Sequence, residues 1–556
     1  MKVFGRSWLA ILPVLTLGVA DCYSQGDGSA PPLDRFYFPV GLQVSAGGNV
    51  LYAINSDFDL QYNGGTFQSY DLRKIREHAV YIIKDPNDPR VPLYRTGATA
   101  ANPCPANPPT YKDDGSGTRQ PLGETCAPPV KSQDYVRDYA VIGAFGTDLV
   151  LTPPGNGKRN VDRLFAPVRG NASLTWASVV RDDFGPPADG ATKDTYAPFR
   201  IECGQGRATR CDKTHQAGTD AAENTRGLTL PGEPFGVALS EDHESLVITH
   251  QNDPKTSLFS TGISKSRDDV ADPVLDFVLD GVPFGGVGVA AVPHDPELGI
   301  PLFPAWLQTS RLAPQVELLR RYPDQVGSTG TIGTGSSLRR PFLDREATFP
   351  INASANGTDS RGIVIDPTPR MACKARGNDH ALCARKPARV FIANRSPASL
   401  LVGEVGGTPD NGVAYDPDRL TIHTSIPLSA GPSRVYLAPI VDRDGKYSLR
   451  VFVVCFDSAT IFVYDPDAQV VENVIRVAPG PFAMAFDPFD LEAVARRDEV
   501  LVDRPELGLR KYRFAYVASF TESYVQLLDL DNGQADRSTF QRIVFTLGAP
   551  TQPKGT

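Results

Sequence analysis

The chain has 556 residues, 22% of them charged, a formal net charge of −8, and many turn formers, 50 Gly and 49 Pro against 3 Met. That length exceeds one ordinary hydrophobic core and calls for several domains or a repeat. The charges are interspersed and leave no basic footprint for nucleic acid, while the scarcity of long helical patterns points to an all-β body.

The N-terminus reads as an export signal: Lys2 and Arg6 precede the apolar run Trp8 to Val19, and small residues follow. The run is shorter than the roughly 20 residues of a membrane span, and no other apolar run reaches that length. Val19, Ala20 and Cys22 resemble the lipobox of bacterial lipoproteins, with Asp21 departing from the Gly, Ala or Ser usual before the cysteine. The resemblance implies removal of residues 1–21 and a lipid on Cys22 that anchors the protein in a membrane. Ordinary cleavage after Ala20 is the alternative. Residues 22–33, polar with Gly, Ser and Pro, read as a flexible tether. Tyr23 is not the Asp associated with inner-membrane retention in enteric bacteria, so an outer-membrane location is expected.

From residue 34 to residue 549 one pattern recurs, with residues 550–556 left as a tail. It consists of Pro or Gly, an apolar strand, a short turn, a second strand ending in a polar cluster, and a third strand that often ends in Asp. The first copy is PVGLQVSAGG, NVLYAINSDFD and GTFQSYDL, with AVYIIKD as candidate fourth strand and a polar insertion from Pro86 to Gln133. A weaker second copy begins at Tyr139, a third at Glu233, a fourth at Val282, a fifth at Ser360, a sixth at Gly431 and a seventh at Gly480. Seven small sheets bury both faces and protect their edges only by stacking around a ring. A seven-bladed β-propeller with long loop insertions is the fold expected, six or eight blades and two β-sandwiches being the alternatives. LYAINS, VFIANRS and AYVASF resemble the second strand of the YVTN-type repeats of bacterial seven-bladed propellers related to the YncE and lactonase-like groups. The resemblance implies the fold; it matches no catalytic motif, and one fold hosts many activities.

The cysteines fit an oxidising compartment. Cys104 with Cys126, Cys203 with Cys211, and Cys373 with Cys383 are neighbours inside polar insertions and are expected to form local disulfides, while Cys455 in VFVVCF is expected to be a buried thiol. No C-x-x-C or paired His spacing supports a metal instead.

Aligning the copies places the residues after each second strand at one end of the ring. They are Asn55, Asp57 and Asp59, then Arg169 and Asn171, His250 and Asp253, Arg311, Asn394 and Arg395, Asp457, and Glu522. Loops on a rigid scaffold are where binding groups gather, and the arginines suit a polar or anionic ligand. For any one of these residues the plainer reading is a turn residue satisfying a strand end. His250 is the candidate general base, and Asp57, Asp59, Asp253, Asp457 and Asn394 are candidate oxygen ligands for calcium. No cofactor is otherwise implied. GGVGVA near Gly285 lacks the strand-to-helix setting of a dinucleotide site, Arg159 stands where a phosphate loop needs Ser or Thr, and no H-E-x-x-H or G-x-S-x-G occurs. The expectation is a monomeric exported propeller that binds a protein, a glycan or a small polar molecule. A lactonase-like hydrolase with its site in the central funnel and a structural envelope protein are the alternatives.

Overall fold

In most repeats the second strand is apolar at nearly every position, as in VLYAIN, SLVITH and FAYVAS. Such a strand suits burial on both faces. The computed structural model describes residues 28–85, 88–93, 111–113, 119–121, 127–153, 159–182, 199–204, 210–265, 267–268, 270–295, 297–323, 341–351, 359–407, 415–497, 513–533 and 539–548. Its seven principal sheets are the blades of a propeller.

Blade 1 is Pro39–Val44, Val50–Asn55, Thr66–Asp71 and Val136–Val141. Blade 2 runs from the short Val150–Leu151 through Val161–Val168 and Ser173–Val180, against which Ile201–Glu202 and Gln216–Ala217 pair. Blades 3 to 6 open with Pro234–Leu239, Gly286–Ala291, Ser360–Asp366 and Pro432–Val441 and each has four antiparallel strands in chain order. Blade 7 opens with Pro481–Phe486 and ends with Ile543–Leu547.

Seven separate apolar clusters fill the seven junctions between blades. Alternation along each second strand feeds two of them. In blade 1, Leu51 and Ala53 join the junction with blade 7, while Val50, Tyr52 and Ile54 join that with blade 2. In blade 5, Val390 and Ile392 face blade 4, and Phe391 and Ala393 face blade 6.

The first strands line the axis, each crossing a register shift near its start except in blade 2. The third residue there is Gly41, Gly236, Gly288 or Gly362 in four blades. A Cβ on these glycines would lie 2.6 Å from Leu149 Cβ, 2.3 Å from Val287 O, 2.4 Å from Arg361 O and 2.9 Å from Arg434 Cα, in each case the next blade's inner segment. Glycine is required by this close approach.

Blade 1 corrects the sequence reading. AVYIIKD is not a strand but the end of helix α1, Leu72–Lys84, and the fourth strand is Val136–Val141, assigned from sequence in part to the second copy. Leu72, Ile75, Ala79 and Ile82 recur at helical spacing and are buried, and Asp71 caps the helix by accepting from Lys74 N at 3.2 Å. Insertions also hold α2 (Thr368–Ala375), α3 (His380–Ala384) and α4 (Leu491–Arg496). The Cys203–Cys211 and Cys373–Cys383 disulfides are present as expected; Cys104 and Cys126 lie outside the described residues. Cys455 is a buried free thiol, its pKa pushed up to about 12 by burial.

Trp306, fully buried between blades 3 and 4, tests this packing. Trp306→Ala is expected to cost about 3–5 kcal/mol and to lower the urea midpoint followed by circular dichroism. An unchanged midpoint would contradict the inter-blade core.

Candidate functional site

At one end of the ring each first strand begins and each second strand ends, so the antiparallel register sets the residues of both side by side. Several site residues expected from sequence turn inward as struts. Asn55 accepts from Tyr37 N at 3.0 Å and donates to Thr66 Oγ1 and Gln68 Oε1. Asn394 bonds Ser360 Oγ and Pro397 O, and Asn171 bonds Gln216 and Ser173. His250 is fully buried, with Nδ1 2.8 Å from Gly232 O and Nε2 2.8 Å from Ser257 Oγ. A carbonyl only accepts, so Nδ1 carries the proton and Nε2 takes the Ser257 hydroxyl. Burial lowers its pKa to about 4. Both ring nitrogens are committed and no substrate reaches them, which removes His250 as general base.

The arginines are paired and exposed in part. Arg169 meets Glu233 and sits over the Phe145 ring. Arg395 meets Asp457. Arg361 holds Asp359 through two bonds of 2.9 and 2.7 Å, and Arg311 approaches the same carboxylate at 3.4 Å. Burial and then the neighbouring Arg361 lower the pKa of Arg311, with Arg395 adding to the repulsion. Three guanidinium groups therefore crowd around Asp359 and Asp457 on the side of blades 4 to 6. Adjoining them, from blades 6, 7 and 1, Phe482 and Phe520 lie 5.9 Å apart by ring centroids, Phe456 flanks both, and Phe58 meets Phe520 and Phe145. Phe58 is 48% exposed.

Beneath lies a cavity of about 180 Å³ lined by the inner segments of all seven blades. Blades 2 and 6 carry Asp148 and Arg434 where four others have Gly, and these two non-neighbouring blades pair across the axis at 2.7 Å. Arg434 also donates to Thr147 O and stacks near Phe482. Burial works against its charge, but Asp148 and Tyr436 outweigh it and raise its pKa. This pair, Asp359, Arg361 and the aromatic group escaped the sequence reading. The signal was a charged residue at an inner-segment position that is glycine in four blades.

Asp57 and Asp59 form a separate corner. Asp59 accepts from Tyr37 Oη at 2.6 Å. Asp57 is buried at φ 49, takes Tyr62 N at 3.2 Å on Oδ1, and leaves Oδ2 without a hydrogen-bond partner among the described residues. Burial, offset in part by the Tyr62 bond and reinforced by Asp59, pushes its pKa to about 7. Asp253 is half-buried in blade 3, and Glu522 follows the second strand of blade 7. Among the described residues the group of His, Cys, Asp and Glu whose ligand atoms converge is Asp295, Glu297 and His380, not the carboxylates expected to hold calcium.

Comparison with protein-family models and with curated proteins gives no match. Among solved structures, the chain is similar to a candidate 6-phosphogluconolactonase from Bacteroides fragilis (14% identity, 80% of this chain and 86% of that one, TM-score 0.39). It is also similar to Kuenenia stuttgartiensis hydrazine synthase (11% identity, 91% and 99%, TM-score 0.40) and to the periplasmic gluconolactonase of Pseudomonas aeruginosa (13% identity, 81% and 87%, TM-score 0.36). These likenesses are of low score, and the fold rests on the seven sheets themselves.

The raised pKa of Asp57 has a definite sign. Between its unfolded value near 3.8 and about 7 the folded state holds a proton that the unfolded chain has lost, so stability falls as pH rises through that window. Asp57→Asn removes the penalty and tolerates the positive φ. Its melting temperature is expected to exceed that of the parent by about 3 °C at pH 8 and to match it at pH 4. A gain equal at both pH values would exclude the titration.

Proposed function

We propose that this protein is an exported, lipid-anchored propeller of the bacterial envelope that binds an anionic, ring-bearing ligand in the funnel where its second strands end. The carrying observation is a mixed surface: Arg311, Arg361 and Arg395 gather at Asp359 and Asp457, and the Phe456, Phe482 and Phe520 group adjoins them, Phe456 being the residue before Asp457. A guanidinium fork matches a carboxylate in two bonds, and an aromatic wall beds the apolar face of a sugar ring. The Arg434–Asp148 pair crosses the axis below, so a ligand entering here meets a floor rather than an open bore. A glycan bearing carboxylates combines both features. Sites of this kind offer a few placed polar groups within an apolar surround.

A second reading, a lactonase-like hydrolase, rests on Asp57, whose Oδ2 has no partner among the described residues and whose pKa near 7 suits a general acid or base, and it requires the corner that buries this carboxyl to open to substrate. Turnover of a sugar lactone, lost in Asp57→Asn, would bring it to the front.

The binding reading is tested by calorimetric titration with oligogalacturonate. Arg361→Ala and Phe520→Ala are each expected to weaken binding about tenfold, since each removes roughly 1.4 kcal/mol of contact; absence of binding, or variants equal to the parent, would sink it. Anchoring is tested separately. The chain expressed from Met1 in a bacterial host is expected to incorporate labelled palmitate, and Cys22→Ser to abolish the label; label retained in Cys22→Ser would refute lipidation at that residue.

A further inference from the structure

The end of the ring opposite the funnel carries a larger opening that no part of the reading above uses. There the first strands finish and the second strands begin, and two of these connections have grown into helices. α2 follows the first strand of blade 5, α4 follows that of blade 7, and blade 6 stands between them with Tyr447–Cys455. Together they enclose a cleft of about 890 Å³. Its base is apolar, with Leu449 and Val494 packed beside Tyr447 and Ala493.

Its walls are cationic. Arg376, Lys386, Arg389, Arg496 and Arg497 line it, against Asp467 as the one carboxylate among the lining residues. Arg389 is fixed in place by Asp366, Thr368 Oγ1 and Asp467. Arg497 takes the other oxygen of Asp467 at 2.8 Å. Arg376 and Lys386 are exposed and make no ion pair among the described residues. The Cys373–Cys383 disulfide ties α2 to α3 and so holds the stretch that carries Arg376. A cleft of this volume is within the range of small-molecule sites.

We propose that this cleft binds a ligand bearing two or more phosphate groups. The cations stand on separate elements, α2, α4 and the approach to the second strand of blade 5, so they suit several charges on one scaffold rather than a single anion. Arg376 and Lys386 have no competing carboxylate among the described residues, whereas Arg389 is engaged by Asp366 and Asp467 and Arg496 by Glu492, so the two exposed cations are the ones free to meet a phosphate. Such phosphates occur on soluble polyols and on lipid headgroups, and the chemistry of the cleft is common to both.

The test uses the purified protein and two probes: inositol hexakisphosphate by calorimetric titration, and sedimentation with phosphatidylcholine vesicles containing cardiolipin, whose headgroup bears two phosphates. The double variant Arg376→Ala/Lys386→Ala alters exposed side chains and should keep the parent melting temperature. It is expected to bind at least one probe ten or more times more weakly than the parent, and Arg361→Ala in the funnel should bind both as the parent does. Loss confined to the polyol assigns a soluble ligand, and loss of vesicle binding assigns a headgroup. The proposal is overturned if neither probe binds the parent, or if the double variant binds both unchanged. Because Arg361→Ala reports on the funnel alone, failure here and failure of the proposed function are separable.

Discussion

Seven strands converge on one axis, and the space between their backbones decides what each can carry. Where Gly41, Gly236, Gly288 and Gly362 face the next blade, a single methyl would collide with backbone or with a Cβ. Blade 7 has Ala483 at the equivalent place, and blades 2 and 6 carry Asp148 and Arg434, which reach each other over the axis. The two side chains keep 16% and 17% of their surface exposed, so losing one partner costs less than the roughly 3–5 kcal/mol of a fully buried pair, and an apolar pair of matched volume is often no less stable. The Arg434–Asp148 contact is therefore better understood as geometry than as net stabilisation. It ties together two blades that share no junction and sets the depth of the funnel.

Outside that inner ring the blades are held by apolar burial, and the polar residues at strand ends divide into two kinds. Asn55, Asn394, Asn171 and His250 satisfy backbone and neighbouring side chains, the task any turn beside a buried strand must complete. The arginines and the Phe58, Phe456, Phe482 and Phe520 group keep part of their surface free. Both kinds occupy equivalent places in the repeat, and only their burial separates them.

That distinction explains how far the sequence could be read. The recurrence of Pro or Gly, strand, turn and apolar second strand announced the sheets because each element is local. Helix α1 was missed because AVYIIKD alone reads as a strand, and its helical spacing shows only when Leu72 and Ile75 are included. The pairing of Asp148 with Arg434 spans 286 residues and depends on ring closure, so no local pattern could show it. His250 looked available because a histidine after a strand is usually near solvent. Its enclosure comes from Gly232 and Ser257, which approach only in the folded blade.

The excursion within blade 1 returns to the other end of the chain. Pro129–Val130 pairs in parallel with Thr546 and Leu547, Phe38 N reaches Ser523 Oγ, and Arg76 of α1 lies 3.5 Å from Asp487. The first blade to be synthesised thus cannot complete its contacts until the last strand has arrived. Contacts of such sequence separation are slow to form because the loop entropy is lost before they reward it. The consequence is an order of assembly: blades 3 to 6 can mature in sequence, while the two ends of the polypeptide wait for each other, and a chain cut short by one strand leaves both the last blade and the first exposed.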